Sequence, residues 1–295
     1  MQRTFSLIVA TCGRDKEVDR LLESFTHLDY DLNLVEIYII DQNDTINLKP
    51  IIRKYVPALQ IHHIHSPRKG LSYNRNIGLR EAKGDIIAFP DDDCTYYPDT
   101  LNKVNDAFNE YADASLLLGQ IIDRKTGEKI IRKWSDQPFS LNFYNFYTSF
   151  SSITMFVKNE GKKQYFDERL GSGEYLGSCE DADYIVQELN QKHKIFYIPK
   201  IQVWHPAQKN SEFSESKIAS YGRGFGAFAY KNFCLPVAVL FIEVVAYHML
   251  RYMMSFIQGN KTGETAEKIS VISRLDGWKK YHEFDLNEGL NNGGE

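Results

Sequence analysis

Cysteine is scarce and scattered: the 295 residues hold four, at Cys12, Cys94, Cys179 and Cys234, with no C-x-x-C pair. Such spacing supports neither a zinc site nor a disulfide framework, and a reducing compartment is expected. Basic residues form no block. Lys plus Arg is 35 against 39 for Asp plus Glu, a formal charge of −4, which disfavours general nucleic-acid binding. There is no internal repeat and no low-complexity tract. The first apolar run, FSLIVAT over 5–11, is too short for the core of a secretory signal, so a cytoplasmic protein is expected.

What is present is alternation. Continuous apolar runs predict buried strands over 5–11, 35–40, 61–65 and 85–89, separated by stretches with helical spacing such as Val18, Leu21, Leu22 and Phe25. Asp15 is placed to cap the first helix. Strand–helix alternation of this kind implies a mostly parallel sheet with right-handed crossovers, where ligands bind beyond the carboxyl ends of the strands. The polar clusters Thr11 to Arg14, Asp41 to Asp44 and Asp91 to Asp93 fall at such ends. Further strands are expected over 116–121, 154–157, 195–198 and 202–204. A polar and aromatic insertion over 124–150 carries Trp134, Phe139, Phe143, Tyr144, Phe146 and Tyr147 as a candidate acceptor surface or as plain core.

Three groups carry chemistry. Phe89-Pro90-Asp91-Asp92-Asp93 packs three carboxylates at a strand end, where like charges repel unless a cation is held. Oxygen ligands suit Mg²⁺ or Mn²⁺, and a solvated acidic turn is the plainer reading. Glu180-Asp181 follows the glycine-rich Gly171-Ser172-Gly173 loop and can supply a general base with its neighbour, or merely complement a helix dipole. His205, closing a strand, can ligate a metal as neutral imidazole or be an ordinary core or surface histidine.

In this order and spacing the groups resemble the inverting glycosyltransferases of family 2, over roughly residues 5–205 and the later Tyr221-Gly222-Arg223-Gly224 segment. Gly70-Leu71-Ser72-Tyr73-Asn74-Arg75-Asn76-Ile77-Gly78 matches the family's G-x-x-x-A-R-N-x-G, with Asn74 in place of the small residue. The resemblance implies an α/β fold of GT-A type, Rossmann-like, with a mostly parallel central sheet, helices on both faces and a C-terminal helical extension. It implies transfer of a sugar from a nucleoside-diphosphate sugar, a UDP-sugar, to a glycan or lipid-linked acceptor, with metal and with inversion. Asp181 would be the base with Glu180 beside it. Thr11, Arg14, Asp41, Arg75, Asp91 and Asp92 would bind the nucleotide sugar, with Asp41 reading the base and Asp91 near the ribose. Asp93 and His205 would hold Mn²⁺ or Mg²⁺. Asp41-Gln42-Asn43-Asp44 stands where the family has D-D-G-S, and Pro90 replaces an aliphatic residue.

The residues also admit a phosphatase reading through Asp91-x-Asp93-x-Thr95, and a non-catalytic sugar-nucleotide binder. Two regions are expected: 1–210 as the catalytic domain and 211–295 as the helical region. Within the latter, 235–257 is nearly all apolar, with Glu243, Tyr247 and Arg251 as a narrow polar stripe. Its charges sit too centrally for a comfortable span. Peripheral contact with the inner leaflet is expected, helped by Arg223, Lys231, Lys261 and Lys268, with a helix buried under the catalytic domain as the other reading. The last residues, NEGLNNGGE, read as a frayed tail.

Overall fold

The computed structural model describes residues 2–161, 163–206 and 214–292. The chain divides into two compact units, residues 1–165 with 187–208, and 166–186 with 209–295. The expected boundary at 210/211 lies outside the described residues.

The first unit begins with β1 (Phe5–Thr11), α1 (Lys16–Thr26), β2 (Val35–Asp41), α2 (Lys49–Tyr55), β3 (Gln60–His65), α3 (Leu71–Glu81) and β4 (Ile86–Ala88). The predicted alternation is therefore present, within a residue or two at each end. β1 lies between β2 and β4, and β2 pairs with β3, all parallel. β1 is almost wholly buried, as a strand covered on both faces must be. Asp15 caps α1 by accepting from the Lys16 amide at 2.7 Å. Against β1 lies α3, and Gly78 permits that approach: a Cβ there would overlap the Ile8 side chain.

Beyond β4 the sheet becomes mixed. β5 (Thr95–Tyr96), α4 (Thr100–Glu110), β6 (Ala114–Ile121), β7 (Phe139–Ser140), β8 (Met155–Lys158) and β9 (Lys194–Trp204) follow. The order is β3-β2-β1-β4-β8-β6-β9-β5, with β7 also on β9. β8 runs antiparallel to β4 and β6, and β5 and β7 antiparallel to β9. The sequence suggests two strands where β9 is one. Its register against β6 jumps from Leu118↔Tyr197 to Gln120↔Gln202, and Pro199, with no amide to donate, sits in the irregular stretch. Gln120 donates to the Pro199 carbonyl at 2.6 Å across that gap. In the aromatic insertion, Trp134 and Phe146 are core, whereas Tyr144 is 84% exposed.

The second unit holds the start of α5 (Glu180–Asn190) and the long helices α6 (Glu215–Lys231), α7 (Leu235–Ile257) and α8 (Lys261–Asn292). The glycine-rich stretch, which the sequence leaves without an element, is the middle of α6. Gly is poor in helix interiors by about 1 kcal/mol, so its repetition needs a packing reason. A Cβ at Gly226 would overlap the Arg274 carbonyl, and one at Gly277 the Arg223 carbonyl, so α6 and α8 meet backbone to backbone. The expected frayed tail continues α8 as far as Asn292.

α7 matches the predicted apolar run. His248 and Arg251 turn toward α8, where Glu267 accepts from Arg251 Nε at 2.5 Å and lies 2.6 Å from His248 Nδ1. Leu235, Ile242, Leu250, Met253 and Ile257 are exposed. Among the described residues, α7 is the helix long and apolar enough to cross a membrane by length and composition. Two of the cations expected to serve lipid headgroups are engaged elsewhere. Lys231 is held by Asp167 and Asp183, and Arg223 stacks on Tyr175 while donating to its carbonyl at 2.9 Å.

Replacing Gly226 with alanine forces α6 and α8 apart. A stability loss of about 1–3 kcal/mol is expected, read as a lower denaturation midpoint.

Candidate active site

In the first unit the carboxyl ends of β1, β2 and β4 bring most of the predicted residues together. Asp91, Asp92 and Asp93 follow β4, and each has its own partners. Asp92 is buried and accepts from Thr11 Oγ1 at 2.7 Å and from Arg14 Nη1 at 2.8 Å. Burial pushes its carboxyl up to about 6, against the pull of Arg14 and Thr11. Asp92 thus ties the end of β1 to the acidic turn.

Asp91 accepts from Arg75 Nη2 at 2.8 Å, and the same guanidinium donates to Ser152 Oγ at 3.0 Å. Arg75 is 1% exposed, held in α3 with Ser72, Asn74 and Asn76 also buried. A fully buried guanidinium is tolerated only when paired and hydrogen-bonded. Ser152, which the sequence does not single out, supplies part of that satisfaction. No motif signals it.

Asp93 meets Arg14 and lies 3.2 Å from His205 Nε2. Burial alone would raise its pKa, but His205 and Arg14 hold it below the usual carboxylate range. The Nδ1 of His205 is 2.8 Å from the Pro206 carbonyl, so that nitrogen carries a proton and Nε2 faces the carboxylates. Ligand atoms of Asp91, Asp93 and His205 lie within 4.8 Å of one another. Two carboxylate oxygens and an imidazole nitrogen aimed at one point form a donor set suited to Mn²⁺ or Mg²⁺. The resemblance places Asp91 near the ribose, whereas the geometry groups it with Asp93 and His205.

Asp41, at the end of β2, is buried. Its Oδ1 accepts from the Asn43 amide at 2.9 Å and from Asn43 Nδ2 at 2.7 Å. Its Oδ2 lies 2.9 Å from His63 Nε2. Asn43 Oδ1 in turn accepts from the Gly13 amide at 2.6 Å. The departure from the family pattern at Gln42-Asn43 is therefore structural in effect, because Asn43 orients Asp41 and fastens it to the loop after β1.

Glu180 and Asp181 lie in the second unit, in the first turn of α5. Cys179, just before them, has φ +66°, a left-handed backbone uncommon for a non-glycine residue. Two residues on, Asp183 is fully buried and joins a charged network. Lys231 Nζ donates to Asp183 Oδ2 and to Asp167 Oδ2, both at 2.8 Å. Arg169 Nε donates to Asp167 Oδ1 at 2.9 Å, and Tyr281 donates its hydroxyl proton to Asp167 Oδ2 at 2.5 Å. Burial by itself would raise the Asp167 pKa, but Arg169, Lys231 and Tyr281 hold it well below the usual carboxylate range.

A family model described as Glycosyl transferase family 2 matches residues 6–162. Poly(ribitol-phosphate) beta-N-acetylglucosaminyltransferase TarS of Staphylococcus aureus is 25% identical over 175 residues, 58% of this chain and 30% of that protein. This chain thus matches less than a third of that relative's length. Among solved structures, the mannosyltransferase PcManGT from Pyrobaculum calidifontis, in complex with GDP-Man and Mn²⁺, superposes with a TM-score of 0.63. It is 13% identical, over 94% of this chain and 87% of that one. S. aureus TarS 1-349 in complex with UDP-GlcNAc gives 0.61 at 16% identity, over 95% and 92%. At these identities the likeness is one of fold, and the fold is that of the GT-A glycosyltransferases.

The depressed pKa of Asp167 has a defined consequence. Its contribution to stability is fully present above the unfolded carboxylate pKa of about 3.9 and is lost as pH falls from there through the folded value. Asp167→Asn should therefore be less stable than wild type by a constant amount from pH 7 to about pH 4, with the gap narrowing only in stronger acid. Denaturation curves across that range check it.

Proposed function

The chain belongs to glycosyl transferase family 2, and from that premise we propose that it transfers a sugar from a UDP-sugar to a hydroxyl of a glycan or lipid-linked saccharide, with inversion. The observation that carries the reading is the convergence of Asp91, Asp93 and His205 beyond the strand ends. Asp93 and His205, with Asp91 beside them, would hold Mn²⁺ or Mg²⁺, whose chemistry there is to neutralise charge on the leaving diphosphate. Arg14, already drawn to Asp92 and Asp93 and partly exposed, adds a cation for the same phosphates. Arg75 acts from within, fixing Asp91 rather than reaching donor. Thr11 and Asp92 hold the loop after β1 against the acidic turn.

Asp41 supports a uracil base over guanine. A carboxylate offers about four lone-pair positions, and three are taken: two by Asn43 and one by His63. One acceptor position remains on Oδ2, which matches the single N3–H of uracil. Guanine presents two adjacent donors, which want both oxygens. The name of TarS and its UDP-GlcNAc complex make UDP-GlcNAc the first donor to try.

In the reaction, an acceptor hydroxyl oxygen bonds to the anomeric carbon as the carbon–oxygen bond to the diphosphate breaks. That electron pair leaves with UDP. Asp181 takes the hydroxyl proton, with Glu180 its neighbour, and the single displacement inverts the centre without an enzyme nucleophile. Residues 1–210 are assigned donor binding and residues 211–295 the helical extension.

UDP release from UDP-GlcNAc with Mn²⁺ tests the assignment. Asp93→Asn should abolish Mn²⁺-dependent UDP binding measured by calorimetry. Asp181→Asn should keep UDP binding and lose about 10²–10⁴ in turnover. No turnover with any UDP-sugar, or unchanged turnover in Asp181→Asn, would sink the reading.

The outer face of α7 supports peripheral attachment on the cytoplasmic face of a membrane. Its polar interruptions His248 and Arg251 are met by Glu267, leaving Ile242, Leu250 and Met253 outward. In vesicle flotation the chain should rise with anionic liposomes, less so at high salt, and the double substitution Ile242→Gln, Leu250→Gln should remain at the bottom. Equal flotation of both would exclude α7 as the contact.

A further inference from the structure

The second unit contains a device whose only sequence signal is a lysine beside an asparagine. Lys231 ends α6 and Asn232 caps it, its amide donating to the Phe228 carbonyl at 3.0 Å. Their side chains divide the Asp183 carboxylate between them. Lys231 Nζ donates to Oδ2 at 2.8 Å and Asn232 Nδ2 to Oδ1 at 2.8 Å. Asp183 lies in the first turn of α5, two residues after Asp181, and is fully buried. Lys231 is anchored in turn by Asp167, which Arg169 and Tyr281 also hold.

The chain leading into that turn is gripped by the same helix. Ser178 donates to the Tyr221 carbonyl at 2.9 Å. A Cβ on Gly224 would press on the Ser178 backbone, and one on Gly177 would overlap the Ser220 side chain. Cys179, between Ser178 and Glu180, takes its left-handed conformation inside this grip. Such backbone persists only where its surroundings over-determine it. Here α6 does so on both sides, with Gly224 before the turn and Lys231 with Asn232 after it.

We propose that Lys231 and Asn232 are positioning residues for the base: by clamping both oxygens of Asp183 they hold the first turn of α5, and Asp181 with it, in one orientation. This rests on the reading of Asp181 as the base. The clamp acts through Asp183 and touches no substrate. It predicts a loss confined to the proton-removing step, since a base need be displaced only slightly to lose its transfer geometry.

The test compares acceptors that do and do not need a base. The full chain is given UDP-GlcNAc and Mn²⁺ with water alone or with sodium azide, and UDP release is followed. Water must surrender a proton as it attacks, whereas azide arrives as an anion and forms the glycosyl azide without one. Lys231→Met should lower kcat toward water by about 10–100-fold, a part of the whole general-base contribution. KM for UDP-GlcNAc should stay within about twofold and azide turnover near wild type, with Lys231→Arg restoring most of the loss. Asn232→Ser, which keeps the ion pair, should show the same pattern more weakly.

Wild-type kcat toward water in a folded Lys231→Met, or an equal loss toward water and azide, overturns the proposal. If Lys231→Met does not fold, the double substitution Asp183→Asn, Lys231→Met leaves no unpaired charge from this pair and is read the same way; if that also fails to fold, Asn232→Ser decides. Asp181→Asn is run beside them. If it hydrolyses donor at the wild-type rate, the base reading itself is wrong. If it is inactive toward water while Lys231→Met and Asn232→Ser are normal, only the clamp is wrong.

Discussion

Three successive carboxylates after a three-residue strand repel one another, and the first unit is arranged around giving each its own compensation. Asp91 takes a buried arginine from α3, Asp92 the hydroxyl that ends β1, and Asp93 a histidine from beyond β9, while Arg14, after β1, serves both Asp92 and Asp93. These partners come from separate elements, so the acidic turn acts as the joint at which the sheet's ends are registered. The neutralisation is uneven. Asp92 is protonated more easily than an ordinary carboxyl and Asp93 less easily, which suits Asp92 to structure and Asp93 to a cation.

The second unit solves a different problem, that of bringing backbone close to backbone. α6 carries glycines at 222, 224 and 226, and they face different neighbours. Gly222 and Gly226 open onto α8, where Gly277 answers, while Gly224 opens onto Ser178. One helix can therefore pack tightly on α8 and also seat the loop that enters α5. Moving these glycines by a residue would rotate the small faces by about 100° and lose both contacts. Arg223, lying between two of them, is stacked on Tyr175, so the glycines serve packing rather than the approach of a phosphate.

The parallel strands were legible in the sequence because each is a continuous apolar run bounded by polar residues, and a strand buried on both faces leaves no other pattern. The acidic turn and His205 were legible as chemistry at strand ends, and the Arg75 segment through its resemblance to the family's motif. Less was visible where the stabilising partner is remote in sequence. Ser152 has no local signature, and its value arises only when the fold brings it against Arg75, 77 positions earlier. β5 and β7, of two residues each, are too short to show a period. Within the expected helical region the bounds of α6 were hidden because glycine argues against helix locally, and the compensating gain comes from α8, about fifty residues later. α8 lies in the expected helical region, but its bounds were not legible for a related reason: apolar residues spaced for its neighbours α6 and α7 do not form one stripe.

Charge on α7 shows how composition alone misleads about a surface. Glu243, Tyr247 and Arg251 fall on one line of a helical wheel, which suggests a solvated stripe. In the fold, Arg251 is drawn by Glu267, and His248, one residue along from Tyr247, is drawn by the same carboxylate. Glu267 is itself buried, and its pKa falls below the ordinary value because Arg251 and His248 outweigh the cost of burial. One acidic residue on α8 thus pairs two polar groups of α7, covering His248 while Arg251 stays half exposed. What remains outward is aliphatic side chains and methionines, with Tyr247, Phe256, Glu243 and the half-exposed Arg251 among them. Much of that surface is apolar and costly to leave in water. Two of the polar residues that interrupt the apolar run, His248 and Arg251, thus serve to dock α7 on α8 through Glu267.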